Sequence, residues 1–219
     1  MGKEGQRVAM ESKMTAETFW DGVAASYAKR PIANMDQHDR TVARSAAYLT
    51  PEAEVLEVGC GTGTIAMRLA PSARHVLATD VSGKLLEIAR ERQAERGVEG
   101  VSFARHGIMD LPEGQYDMVA AYNVLHLIED IDGAVAELAA RVKPGGVLVT
   151  KTGVLGETWR GRMLRVLIGA MQLVGKAPYV GFHKVRDVDA LMERHGLQIV
   201  EAETMGGSVG VRFLVARKA

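Results

Sequence analysis

The chain lacks the features that disulfide-rich, membrane-spanning and nucleic-acid-binding proteins depend on. Its 219 residues include a single cysteine, Cys60, which excludes a disulfide scaffold or zinc–cysteine cluster and suits a reducing compartment. The 27 basic and 27 acidic side chains cancel, so a nucleic-acid partner is not expected. No apolar run of about 18 residues is present, and the N-terminus has no signal peptide. We expect a cytoplasmic protein without a metal site.

Short apolar runs alternate with longer amphipathic runs through the middle of the chain. Val55–Val58, His75–Thr79, Val101–Phe103 and Tyr116–Ala121 read as strands, with helical segments between them. This alternation predicts an α/β fold with a doubly wound, mostly parallel sheet, whose ligands bind beyond the carboxyl ends of the strands. We expect the chain to consist of a polar tail at 1–13 and a single domain at 14–219. Within this domain we expect a helical N-terminal cap at 14–49 and a helical insert at 153–186.

A glycine loop is the most informative segment of the sequence. Glu57 is followed by Gly59, Gly61 and Gly63, directly after a strand and directly before a helix. Glycines let the backbone turn tightly and approach a ligand, and a helix N-terminus attracts an anion, here a carboxylate. A phosphate-binding loop would need a lysine, and a dinucleotide fingerprint would place its third glycine at Thr64. Neither nucleotide pattern fits.

The spacing acid-x-Gly-x-Gly-x-Gly resembles motif I of the class I S-adenosylmethionine-dependent methyltransferases. The family's other elements follow in order, at Asp80, at Asp117–Val119, at 123–126 and at the turn 143–146. The resemblance covers residues 17–150 strongly and 187–217 in outline. It implies a Rossmann-like seven-stranded sheet with an antiparallel last strand, S-adenosylmethionine as cofactor, and methyl transfer as the activity.

The resemblance also implies roles for single residues on the cofactor side. Glu57 would receive the methionine ammonium, the three glycines would form the cofactor loop, and Asp80 would accept the ribose hydroxyls. Val81 would contact the adenine. Relatives often hold the adenine amino group with an acid where this chain has Gly107. Either backbone atoms at Gly107 and Ile108 replace that acid, or Asp110 does, and we favour the backbone.

Four further residues are candidates with competing structural interpretations. Asn123 and His126 follow strand four, where they would face the cofactor's methionine part or the reacting methyl group. His126 is a candidate general base for a hydroxyl acceptor or a structural histidine. Tyr27 resembles the tyrosine that closes over the ligand, and the alternative is packing of the N-terminal helix. Cys60 belongs to the cofactor loop, as a small filler or as a reactive thiol.

The insert bears on which molecule accepts the methyl group. Residues 158–186 contain six basic side chains and no acid, interleaved with apolar ones. They predict either a lid over the acceptor pocket or a basic amphipathic surface at 159–176 that contacts a membrane. The leading interpretation is methyl transfer to a small or amphiphilic metabolite, as in the ubiquinone-methylase-like branch. The alternatives are a lipid-headgroup N-methyltransferase and a non-catalytic cofactor-binding module that pairs with another protein.

Overall fold

One seven-stranded sheet organises the molecule. The computed structural model describes residues 15–157, 163, 165, 168, 179–206 and 210–219. Its strands are β1 Glu54–Val58, β2 His75–Asp80, β3 Val101–Arg105, β4 Tyr116–Tyr122, β5 Val142–Val154, β6 Leu197–Met205 and β7 Gly210–Lys218. The order is β3-β2-β1-β4-β5-β7-β6, with β7 antiparallel to both of its neighbours. The predicted fold, including its antiparallel last strand, is confirmed.

Helices cover both faces of this sheet. They are α1 Ala16–Ala28, α2 Met35–Ala46, α3 Thr64–Leu69, α4 Gly83–Arg96, α5 Ile131–Arg141 and α6 Val185–Arg194. Polar side chains define several of their beginnings: Thr15, Asn34, Ser82 and Asp130 each accept a backbone N–H of the first turn. Such a cap contributes about 1 kcal/mol. Among the described residues, no helix is long and apolar enough to cross a membrane.

Two apolar cores flank the sheet because its strands alternate their side chains. Leu56 and Val58 of β1 pack on the side of α5 and α6, whereas Val55 packs on the side of α2, α3 and α4. Leu56 is fully buried. Its truncation to alanine would cost about 2–5 kcal/mol. Glu57 faces the same side as Val55, so a carboxylate lies at the end of an otherwise apolar layer.

The two N-terminal helices close over the carboxyl ends of the parallel strands. Helix α1 is fixed to α4 by Asp21, which accepts hydrogen bonds from the Ser82 hydroxyl at 2.6 Å and the Lys84 N–H at 3.2 Å. Helix α2 is fixed to the far edge of the sheet by Arg44, which pairs with Glu201 and stacks on the Phe213 ring. Their positions leave a cavity between these helices and the sheet.

The segment after strand five departs most from the expected element boundaries. Strand β5 runs to Val154, and residues 143–146 bulge out of its pairing with β4. The predicted basic surface at 159–176 lies outside the described residues except for Met163, Arg165 and Ile168, which are helical. The domain division therefore stays a prediction.

Candidate active site

A cavity of about 630 Å³ opens where the parallel strands end. Its walls come from α1, α2, the glycine loop, the end of β2, the segment after β3 and the end of β4. The predicted site residues that line it are Tyr27, Glu57, Gly59, Cys60, Gly61, Asp80, Val81, Ile108 and Asn123. The fold therefore brings most of the predicted site into one place.

The glycine loop uses backbone conformations that other residues adopt with strain. Gly59 and Gly63 have φ angles of 70° and 69°, in the left-handed region. A Cβ on Gly59 would stand 2.7 Å from the Val124 side chain, and one on Gly63 would stand 2.6 Å from the Phe103 ring. Gly63 does not line the cavity, so its role is to let the loop pack against β3. Gly59 and Gly61 form the surface that a ligand would approach.

Glu57 is suited to bind a cationic group. Its side chain is buried, and its Oε2 atom has no hydrogen-bond partner among the described residues. Burial, with a smaller contribution from the charge of Asp80, raises the Glu57 pKa to about 8. An ammonium group entering the cavity would satisfy this oxygen and stabilise its charge. The residue therefore fits the predicted contact with the methionine ammonium.

Asp80 both holds the loop and faces the cavity. Its Oδ2 accepts the Gly61 N–H at 2.8 Å, and its Oδ1 accepts the Ser82 N–H at 2.9 Å. Burial raises the Asp80 pKa, and these backbone hydrogen bonds oppose that shift. Ser82, not Asp80, caps α4. Asp80 is therefore not the cap of this helix, and the remaining lone pairs of its carboxylate fit the ribose hydroxyls.

The residues after β3 distinguish the two candidates for contact with the adenine amino group, which are the backbone at Gly107 and Ile108 and the Asp110 carboxylate. Ile108 is buried and lines the cavity, as does Val81. Gly107 lies next to Val81, because a Cβ on Gly107 would stand 3.4 Å from the Val81 methyl group. The Asp110 side chain is 93% exposed and does not line the cavity. The geometry therefore favours backbone contact at Ile108 over a carboxylate from Asp110.

Tyr27 covers the loop from above. A Cβ on Gly61 would stand 3.6 Å from the Tyr27 ring, and Trp20 meets that ring edge-on at 5.7 Å between centroids. Burial and the charge of Asp80 raise the Tyr27 pKa, so its phenol stays protonated.

Burial raises the pKa of the Cys60 thiol as well. This favours the interpretation of Cys60 as a small residue that fills space in the loop over that of a reactive nucleophile.

Asn123 lies at the cavity and His126 lies outside it, although both follow β4. Asn123 lines the cavity with a positive φ of 57°. His126 does not line it: the ring packs beside Gly153, whose N–H donates to His126 Nδ1 at 3.4 Å, and the His126 carbonyl accepts the Gly181 N–H. Burial, then the charge of His183, lowers the His126 pKa to about 4. The structural interpretation is therefore favoured over the general base.

The fold adds polar residues that the sequence analysis did not single out. His38 of α2 and Tyr122 of β4 line the cavity, and Lys151 of β5 lies buried next to Tyr122 in the sheet. Arg92 of α4 donates to the Thr62 hydroxyl and to the carbonyl at the end of α1. None belongs to a local motif, so only the strand order and the helix positions could reveal them.

The doubly wound sheet, the glycine loop and the two carboxylates define a class I S-adenosylmethionine-dependent methyltransferase. A family model described as a methyltransferase domain matches residues 56–148. The ubiquinone biosynthesis O-methyltransferase of Xanthomonas axonopodis pv. citri (strain 306) is 30% identical over 73% of this chain and 69% of its own length. The chain belongs to this family of enzymes, and S-adenosylmethionine is its cofactor.

Two further comparisons cover more of the chain. The ubiquinone biosynthesis O-methyltransferase of Bordetella avium (strain 197N) is 27% identical over 89% of this chain and 98% of its own length. Other curated relatives are matched over less, down to 24% of their length. The magnesium protoporphyrin IX methyltransferase of Synechocystis PCC 6803 with bound SAH has a TM-score of 0.74, at 20% identity over 95% of this chain and 100% of its own, and shows the shared fold.

The cofactor supplies an activated methyl group on a sulfonium with a neutral leaving group. The protein's contribution is to bind, orient and exclude water. Glu57, Gly59, Gly61, Asp80 and Ile108 line the cavity, where they would hold the cofactor, and Tyr27 would cover it. The cavity also reaches α2 and the end of β4, through His38 and Tyr122, which leaves room for a small-molecule acceptor.

Proposed function

We propose that the enzyme methylates a hydroxyl oxygen of a small amphiphilic acceptor. The observation that carries this is a set of exposed apolar side chains at the end of α1, in the loop that follows it and at the start of α2. Tyr27, Ile32 and Met35 are 41%, 40% and 50% exposed, and Tyr27 and Ile32 line the cavity. Exposed large apolar groups beside a polar cavity suit a ligand with a polar head and an apolar tail. The O-methyltransferase names of the relatives support oxygen as the acceptor atom.

Radiolabel transfer tests this proposal. The purified protein would be incubated with tritiated S-adenosylmethionine and either catechol or 4-nonylcatechol. We expect label on the catechol oxygen, with a lower KM for the nonyl compound because its tail leaves water at the exposed apolar side chains. Ile32→Ser should remove that preference, because Ile32 lines the cavity, and Met109→Ser, at an exposed methionine that does not line it, should retain the preference. Label on neither compound would contradict the proposal.

We also propose weak contact of residues 159–176 with anionic lipid, which would deliver an amphiphilic acceptor. Each basic residue near such a surface contributes about 1 kcal/mol, so association would be reversible and sensitive to salt. The protein should co-sediment with phosphatidylserine vesicles at low salt and release near 0.5 M, where the screening length is about 4 Å. Arg160→Glu with Arg165→Glu should abolish co-sedimentation, and Arg74→Glu with Arg90→Glu should not. If the wild-type protein did not co-sediment, the proposal would be contradicted, and the interpretation of this segment as a lid over the acceptor pocket would remain.

A further inference from the structure

Lys151 is a buried lysine with few partners, and burial lowers the pKa of its ammonium. It lies in β5, directly opposite Tyr122 of β4, and is only 7% exposed. In the part of the chain that the structure describes, its ammonium makes one hydrogen bond, to the Thr41 hydroxyl at 3.3 Å, and no ion pair. Removing an ammonium from water without an opposite charge destabilises a protein considerably. A lysine at such a position calls for a partner that the described residues do not supply.

A second polar group beside Lys151 also lacks a partner. The Nε2 atom of His38 is buried and unpaired among the described residues, and His38 lines the cavity. Thr41, which accepts the Lys151 hydrogen bond, lies three positions after His38 on α2, so His38 and Lys151 approach the same side of this helix. The Tyr122 hydroxyl donates to Ser45 at 2.7 Å and closes this polar layer. Thus α2 and β4 supply His38 and Tyr122 to one corner of the cavity wall, and Lys151 of β5 lies directly beside Tyr122 without lining the cavity itself.

Strand order places this corner away from the cofactor's nucleoside. Asp80 and Glu57 mark the cofactor side, on β2 and β1, and Lys151 is on β5, beyond β4. Neighbouring strands are about 4.8 Å apart, so β5 lies roughly 10 Å from β1 and roughly 14 Å from β2. Asp80, Tyr122 and Lys151 point to the same face and occur at the same level of the sheet. An acceptor that approaches the methyl group from beyond the cofactor would meet this corner.

We propose that His38 and Lys151 form an anion-recognition site for the acceptor, specific for a negatively charged oxygen such as a carboxylate or an ionised phenol. His38 would donate from Nε2 to this oxygen, and Lys151 is a positioning residue that adds its charge from behind. The site selects against a cationic amine because like charges repel at short range. This inference deepens the proposed function by naming a charge on the acceptor.

Binding to the protein complexed with S-adenosylhomocysteine tests the site without methyl transfer. The probes are 3,4-dihydroxybenzoate, 3,4-dihydroxybenzyl alcohol and 3,4-dihydroxybenzylamine, which share a catechol and differ in charge. Titration calorimetry should show the benzoate binding at least tenfold more tightly than the alcohol, and the amine most weakly. Lys151→Met should remove this charge preference, leave S-adenosylhomocysteine affinity within about twofold, and raise the melting temperature, because an unpaired buried charge is gone. Lys143→Met, at a lysine paired with Asp117, should keep the preference.

Several results would overturn the inference. They are an unchanged preference in Lys151→Met, tightest binding of the amine, and no binding of any probe. An equal loss of S-adenosylhomocysteine affinity in Lys151→Met would assign the anion to the cofactor's own carboxylate instead. If Lys151→Met does not fold, His38→Gln decides in the same assay, since it should reduce the benzoate preference. Charge preference in binding stands apart from label transfer to oxygen, so this inference and the proposed function can fail separately.

Discussion

The cofactor half and the acceptor half of the cavity are assembled in different ways. The cofactor half comes from one local unit, in which a strand, a glycine loop, a short helix and the next strand bring Glu57 and Asp80 together within 24 positions. The acceptor half joins segments far apart in the chain. Thr41 and Lys151, which share a hydrogen bond, are separated by 110 positions.

This difference has a consequence for what each half tolerates. The loop depends on left-handed glycines and on close packing at Gly59 and Gly63, so nearly any substitution there alters the backbone. The acceptor half uses ordinary helix and strand conformations, and its side chains can change while the backbone stays in place. Cofactor binding is therefore conservative in its chemistry, and acceptor choice is open to variation on the same scaffold.

The largest expected effect is on the loop. Gly63→Ala should lower the free energy of unfolding by about 2–5 kcal/mol, from the left-handed backbone and the overlap with the Phe103 ring together. Gly97→Ala is the matched control, because Gly97 also has a positive φ, of 61°, but a Cβ there meets nothing within 4 Å. It should cost only about 1–2 kcal/mol. Urea denaturation of both variants measures the difference, and equal losses would show that packing against β3 is unimportant.

Asp80→Ala is expected to follow in size. Loss of two charge-assisted hydrogen bonds to the ribose should weaken S-adenosylhomocysteine binding by about 2–4 kcal/mol, a factor of tens to hundreds. Asp110→Ala, at an exposed acid near the same end of the cavity, should change affinity less than about twofold. Calorimetry on variants shown to be folded would separate the cases. An unchanged affinity in Asp80→Ala would restrict Asp80 to holding Gly61 and Ser82.

The same difference explains how much the sequence could reveal. Strand–helix alternation predicted the sheet, because hydrophobic periodicity acts over a few residues. The resemblance of the glycine loop and Asp80 to the methyltransferase family predicted the cofactor residues, because that motif is also local. Sequence position alone selected His126, but the turn after β4 directs its ring away from the cavity and toward Gly153. His38 had no motif and enters the cavity because α2 packs across β4, β5 and β7. Long-range packing of this kind leaves no local signal.

A smaller effect is expected from the protonation of Glu57. With a pKa of about 8, this carboxyl is protonated in the ligand-free protein at pH 7, whereas an ammonium partner requires the carboxylate. Binding of S-adenosylhomocysteine should therefore release close to one proton at pH 7, and affinity should rise by up to about tenfold per pH unit from 6 toward 8. Calorimetry in buffers of different ionisation enthalpy measures the proton. Glu57→Gln should abolish the release, and a flat pH dependence in the wild type would place the ammonium elsewhere.

The smallest effect is expected at His126. Its Nδ1 accepts a backbone hydrogen bond outside the cavity, and its lowered pKa of about 4 keeps it neutral through the range in which the enzyme would be assayed. His126→Asn should therefore lower the rate of methyl transfer less than about tenfold and leave the shape of the pH–rate profile unchanged, because a base contributes typically 10²–10⁴-fold. His38→Asn is the comparison, at a histidine that does line the cavity. If His126→Asn removed a limb of the profile and His38→Asn did not, His126 would be the base, and the insert would have to bring the acceptor to the Gly153 side of the sheet.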